Sequence, residues 1–124
     1  MIFLDSCIVI DYINGRLEIS GEDKNKYCIN SIVDMEICVG ARNKRELNSI
    51  NKKISDFVSV DIDQNIMNLS VQLINEYNLS HDMTIYDGII AATCMVYGLP
   101  LLTHNKKDFK YLDLSLANEL SSEP

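Results

Sequence analysis

Positive charge is scarce in this sequence: eleven lysines and arginines face eighteen aspartates and glutamates, for a net charge of −7. Proteins that coat nucleic acid regardless of its sequence draw most of their affinity from neutralising phosphates, so they carry a basic excess. The acidity counts against that class and suits cation binding, or a partner that brings its own positive charge. Cysteines number four, at positions 7, 28, 38 and 94, with no C-x-x-C pair and no histidine close to any of them. A zinc knuckle is therefore not expected. Each cysteine sits in an apolar run, where it reads as a small buried hydrophobe of a reducing compartment. Long apolar stretches are missing too. None approaches the roughly 18 residues of a membrane span, and the start MIFLDS has neither the basic residues nor the apolar length of a leader. A soluble cytoplasmic protein with no membrane attachment is expected.

What remains is a chain of 124 residues, 47% apolar, which suits one compact domain with a proper core. No repeat, low-complexity segment or interdomain linker divides it. Residues 1–120 are expected to form the domain and residues 121–124 a frayed tail. Short apolar runs at 1–4, 27–29, 57–60 and 100–103 read as buried strands, and the segments between them have helical spacing. Helices are expected over 6–13, from residue 30 or 31 with Ser31 and Asp34 as a capping box, over 44–55, and after Asp63 with Ile66, Ser70, Leu73 and Tyr77 in one stripe. The last, 85–97, ends at Gly98 as a left-handed cap. Strands alternating with helices define an α/β fold around a mainly parallel sheet flanked by helices, with ligands bound beyond the carboxyl ends of the strands.

Several carboxylates fall where apolar residues belong. Asp5 follows the first strand directly; taken alone it reads more readily as a helix N-cap than as a functional acid. Glu36 lies between Ile32 and Val39 on one helix face, with Asp34 opposite toward solvent. A carboxylate buried there is costly without compensation, although the same residue could sit at an exposed edge. Asp87 shares a stripe with Ile90, Ala91 and Cys94 on a helix almost devoid of polar residues, so it is expected to face inward. Thr103, Asn105 and Asp108 stand at the end of the last strand, where an ordinary polar turn is the plain alternative. Carboxylates gathered at strand ends repel one another unless a hard divalent cation joins them. Magnesium, which takes oxygen ligands and needs only one or two protein carboxylates, is the natural choice.

The segments LDSCIVIDY, SIVDMEICVG, YDGIIAAT and LPLLTHNKKDF, in that order, resemble the four blocks of PIN-domain proteins, most of all the VapC toxins of bacterial toxin–antitoxin pairs. Together they span nearly the whole chain. The resemblance implies a single PIN-like domain, an Mg²⁺ or Mn²⁺ ion, and endonucleolytic cleavage of tRNA, rRNA or mRNA. It also implies a small antitoxin as partner and a homodimer, or a dimer of toxin–antitoxin pairs. By position, the catalytic acids fall on Asp5, Glu36, Asp87 and Asp108. Asp5 and Asp87 would be the main metal ligands, and Glu36 would orient the attacking water or hold metal-bound waters. Ser6, Thr103 and Asn105 would support the site. Asn105 stands where some relatives carry an acid.

Other readings fare worse. A haloacid-dehalogenase-type phosphatase needs a second acid two residues after Asp5, where this chain has Cys7. A receiver domain needs an acidic partner for Asp5 and a lysine at the end of the last strand. Serine hydrolase and nucleotide-binding motifs are absent. The rival that stands is a PIN-like module that binds RNA or protein without cutting. Two basic clusters, Arg42, Lys44 and Arg45, and Lys106, Lys107 and Lys110, could grip a substrate or simply face solvent.

Overall fold

Where the strands lie follows from apolar runs too short to be helices. The computed structural model describes residues 1–120, so the tail expected at 121–124 lies outside the described residues. Strands β1 (Ile2–Leu4), β2 (Tyr27–Ile29), β3 (Val58–Ser59) and β4 (Leu101–Leu102) form one parallel sheet in the order β3-β2-β1-β4. Ile2, Phe3, Leu4 and Leu101 are wholly shielded from solvent, as expected of strands covered on both faces. β2 fills its apolar run, while β1, β3 and β4 are shorter than theirs; Val60 and Pro100 lie outside the strands but still bond to them, the Val60 amide donating to the Ile29 carbonyl and the Phe3 amide to the Pro100 carbonyl, both at 2.9 Å.

Between the strands run α1 (Ser6–Ile13), α2 (Ser31–Cys38), α3 (Lys44–Ile54), α4 (Gln64–His81) and α5 (Ile85–Tyr97). Parallel crossovers are right-handed almost without exception. Because β2 and β3 lie on one side of β1 and β4 on the other, the strand order reverses at β1. The crossovers therefore send α1, α2 and α3 to one face and α4 and α5 to the other. The observed contacts agree, with α4 packed chiefly on α5, and α1, α2 and α3 on one another; α2 also touches α5. Gly88 makes the α4–α5 approach possible: a Cβ there would lie 2.9 Å from Ile74 Cγ1. Gly98, at φ +65°, closes α5 in the left-handed conformation expected.

Helix α2 departs from expectation in two ways. Its cap is Asn30, whose side chain accepts from the Val33 amide at 3.2 Å, and not a Ser31–Asp34 box. Its core face is Val33 and Ile37, whereas Val39 is 80% exposed. Burial of the core drives the rotation of this helix, and it leaves Glu36 exposed and Asp34 half-buried, accepting from the Cys38 thiol at 3.2 Å. The cysteines also divide. Cys28 and Cys94 are buried as expected, but Cys7 and Cys38 are only half-buried; all four are free thiols. No helix among the described residues is long and apolar enough to cross a membrane.

Candidate active site

The reversal of strand order opens a crevice at the carboxyl ends of β1 and β4, the place where open α/β sheets bind ligands. Asp5 stands at the end of β1, 3% exposed. It does cap α1, its Oδ1 accepting from the Ser6 amide at 2.8 Å. It also does more than a cap requires. Oδ1 accepts from the Tyr86 hydroxyl at 2.6 Å, and Oδ2 accepts from the Thr103 hydroxyl at 2.7 Å. The Cys7 thiol points at the same Oδ2 from 3.8 Å. Three elements thus hold one carboxylate: α1 through Ser6, α5 through Tyr86 and the end of β4 through Thr103. The Thr103 hydroxyl in turn accepts from the Asn105 amide at 3.0 Å, which ties the following turn to the site.

Asp87 lies in the first turn of α5, which Thr84 caps by accepting from the Asp87 amide at 3.1 Å. Its side chain is half-buried, and its carboxyl is pushed up to about 6. Loss of solvent is the main cause, with the charges of Asp108 and Asp5 adding to it and a hydrogen bond with Thr84 opposing it. Asp108 closes the 3-10 turn Lys106–Asp108 after β4 and is half-buried. Asp108 and Asp5 therefore share the electrostatic neighbourhood of Asp87. Among the described residues, none of the ion pairs includes Asp5, Asp87 or Asp108.

Glu36 is exposed and lines a cleft of 380 Å³ with Ile10 of α1, with Asn14, which caps the end of that helix, and with Arg42, Glu46 and Lys53 on the α3 side. Ser6 takes part through its backbone amide, and Asn105 is exposed with its amide on Thr103. Of the basic clusters, Arg42 pairs with Glu46 at 3.1 Å and Lys106 donates to Asn118 at 3.3 Å.

Two participants were not anticipated. Tyr86 precedes Asp87, and its own burial, with Asp5 beside it, pushes its hydroxyl well above the ordinary tyrosine range, so it remains a donor. Its position one residue from an inward acid was the available signal. Cys7 is the other, its thiol pushed up by burial and receiving the His104 amide at 3.5 Å. On the rim, His104 Nε2 lies 2.7 Å from Asp11 Oδ2, and hydrogen bonds from His104 and Arg16 lower the Asp11 carboxyl.

A hard cation suits the donor set in part. The oxygens are of the right type, and three carboxylates without a basic partner leave negative charge uncompensated. Asp87 and Asp108 have carboxylate oxygens to offer, while Asp5 has committed Oδ1 to two donors and Oδ2 to a third. Among the described residues, no three acidic, histidine or cysteine side chains converge closely enough to enclose a metal. The arrangement fits an ion bound through one or two carboxylates that keeps several of its waters, and not a closed protein cage.

Parallel α/β topology and a carboxylate site at the strand-order reversal define a class of acidic-site domain. The model of the PIN domain family matches residues 2–114, and the chain belongs to that family. Solved structures agree. The toxin–antitoxin complex from Klebsiella pneumoniae contains a chain 26% identical, with 94% of this chain and 97% of that one covered and a TM-score of 0.73. DNA-bound VapBC from Salmonella typhimurium gives 24% identity, coverage of 94% and 98%, and a TM-score of 0.78. VapBC2 from Rickettsia felis, bound to a promoter DNA fragment, gives 21%, 94% and 98%, and 0.77. No significant match was found among curated proteins.

Proposed function

We propose that this protein is a divalent-metal-dependent endoribonuclease, the VapC-like toxin of a toxin–antitoxin pair. The observation that carries the reading is Asp87, half-buried in the first turn of α5, its carboxyl pushed up by burial and by the charges of Asp108 and Asp5, with no basic partner among the described residues. An acid so placed opposes folding when no cation is bound, and serves a purpose other than stability. PIN domains are generally nucleases, and the resemblance to toxin–antitoxin complexes covers almost the whole chain.

Asp87 and Asp5 would hold Mg²⁺, or Mn²⁺ in its place, with Asp108 beside them. When bound, the ion supplies an activated water and stabilises charge on the phosphate under attack. Asp5 is held in place by Ser6, Tyr86 and Thr103, so its orientation does not depend on the ion. Glu36, exposed on α2, would orient the attacking water or hold waters of the ion. Asn105 leaves the turn one charge short.

The partners follow from the same reading: an RNA substrate, a small antitoxin and a second copy of the chain. Leu79, at 95% exposure, and Ile85, at 70%, flank the α4–α5 turn and offer apolar surface for association. A cytoplasmic location goes with such a toxin. One observation favours the rival reading, a PIN-like module that binds RNA or protein without cleaving it: the hydrogen bonds already occupying Asp5.

Turnover separates the two. Purified protein is expected to cleave structured RNA with Mg²⁺ or Mn²⁺ and to stop in EDTA. Asp87→Asn should slow cleavage at least a hundredfold, about 2.7 kcal/mol of transition-state stabilisation. RNA that binds and is never cut, in either metal, would leave the non-catalytic module.

A further inference from the structure

Beside the acids stands an aromatic cluster with no part in the site so far. The His81 ring, at the end of α4, stacks on Tyr111 with centroids 3.9 Å apart and planes 19° from parallel. Tyr77, one turn earlier on α4, meets both rings at an angle, with centroids 5.0 Å from Tyr111 and 5.5 Å from His81. Tyr77 and Tyr111 are half-buried and support the stack, while His81 stays exposed. A ring needed only to close α4 would gain more by burial. The turn beneath it is fixed: Asn78 donates to the Met83 carbonyl at 3.0 Å, and Asp82 takes the left-handed conformation at φ 55°.

The location is what gives the cluster meaning. Tyr111 follows Asp108 by three residues, and His81 precedes the first turn of α5, which carries Asp87. Burial, and with it the charges of Asp87 and Asp108, pushes the Tyr111 hydroxyl up, in keeping with the short chain separation between these rings and the acids. Lys107 and Lys110 stand beside Asp108, exposed and with no ion pair among the described residues. Single-stranded RNA is gripped where aromatic rings stack on unpaired bases and cations attract the backbone.

We propose that His81, backed by Tyr111 and Tyr77, is a stacking platform for one unpaired nucleobase beside the phosphate presented to Asp87 and Asp108. The platform rests on the nuclease reading for its purpose, but base binding can be measured without cleavage.

The probe is a short single-stranded RNA carrying 2-aminopurine at each position in turn, bound to Asp87→Asn protein in Mg²⁺. One position should be quenched on binding. His81→Ala should abolish that quenching and weaken binding about tenfold, on the order of one lost base stack, whereas His81→Phe should keep both. An abasic nucleotide at the same position should cost about as much, and combining it with His81→Ala should cost nothing further. In otherwise wild-type protein His81→Ala should raise KM with kcat little changed. Unchanged RNA binding by His81→Ala, a His81→Phe variant as weak as His81→Ala, or an effect confined to a protein partner would overturn the platform. Absence of cleavage by wild type would instead overturn the nuclease reading, with the binding experiment still deciding the platform.

Discussion

Thr103, at the end of β4, donates its hydroxyl to Asp5, at the end of β1, across 2.7 Å. The bond spans the point where the strand order reverses, so it joins the two edges of the crevice and fixes the carboxylate between them. Both residues are 3% exposed, so water cannot replace either partner without opening the fold.

Thr103→Val keeps the shape and removes the donor. Leaving Asp5 Oδ2 with only the weak Cys7 thiol as donor, and the Asn105 amide without its acceptor, should destabilise the protein by about 1–3 kcal/mol, and RNA cleavage should fall as Asp5 loses its orientation. Thr103→Ser should restore both. Urea titrations and initial rates on the three proteins check this; a Val variant as stable and active as wild type would remove the bond from the account.

Asp87 carries a pH signature. Its folded pKa, about 6, lies above the ordinary aspartate value of 3.8, so the folded state holds the proton more tightly than the unfolded chain. The stability this group contributes is fully present below about pH 4 and is lost as pH rises through 6. Asp87→Asn, neutral throughout, should match wild type near pH 4 and exceed it at pH 8 in EDTA by on the order of 2–3 kcal/mol. Loss of a favourable charge at the first turn of α5 subtracts about 0.3–1 kcal/mol. Magnesium at a hundred times its dissociation constant should add about 2.7 kcal/mol to wild type and less to the variant. Denaturant melts at the two pH values, with and without Mg²⁺, decide the matter; a difference independent of pH would contradict the burial of charge described here.

Gly88 tests the packing that carries Asp87 and Tyr86. A methyl group there would press on Ile74 Cγ1 at 2.9 Å and Cδ1 at 3.0 Å. Gly88→Ala should cost about 1–3 kcal/mol through overpacking, despite the better helix propensity of alanine, and lower Tm by on the order of 5 °C. A calorimetric scan showing no loss would mean that Ile74 turns aside freely.

Much of this protein was written locally. Apolar runs of three or four residues set the strands, Asp63 and Gly98 marked the start of α4 and the end of α5, and the stripe Ile90, Ala91, Cys94 announced that Asp87 turns inward. These features depend on neighbours a few positions away, which a sequence displays. The tertiary structure decided what spans the chain. The Tyr86 and Thr103 hydroxyls reach Asp5 from 81 and 98 residues away, and only the β3-β2-β1-β4 order brings them there. Glu36 shows the limit from the other side. Helical spacing placed it between Ile32 and Val39, but periodicity gives the angle between faces and not which face meets the core. Val33 and Ile37 filled the space under α2, and their burial turned Glu36 outward.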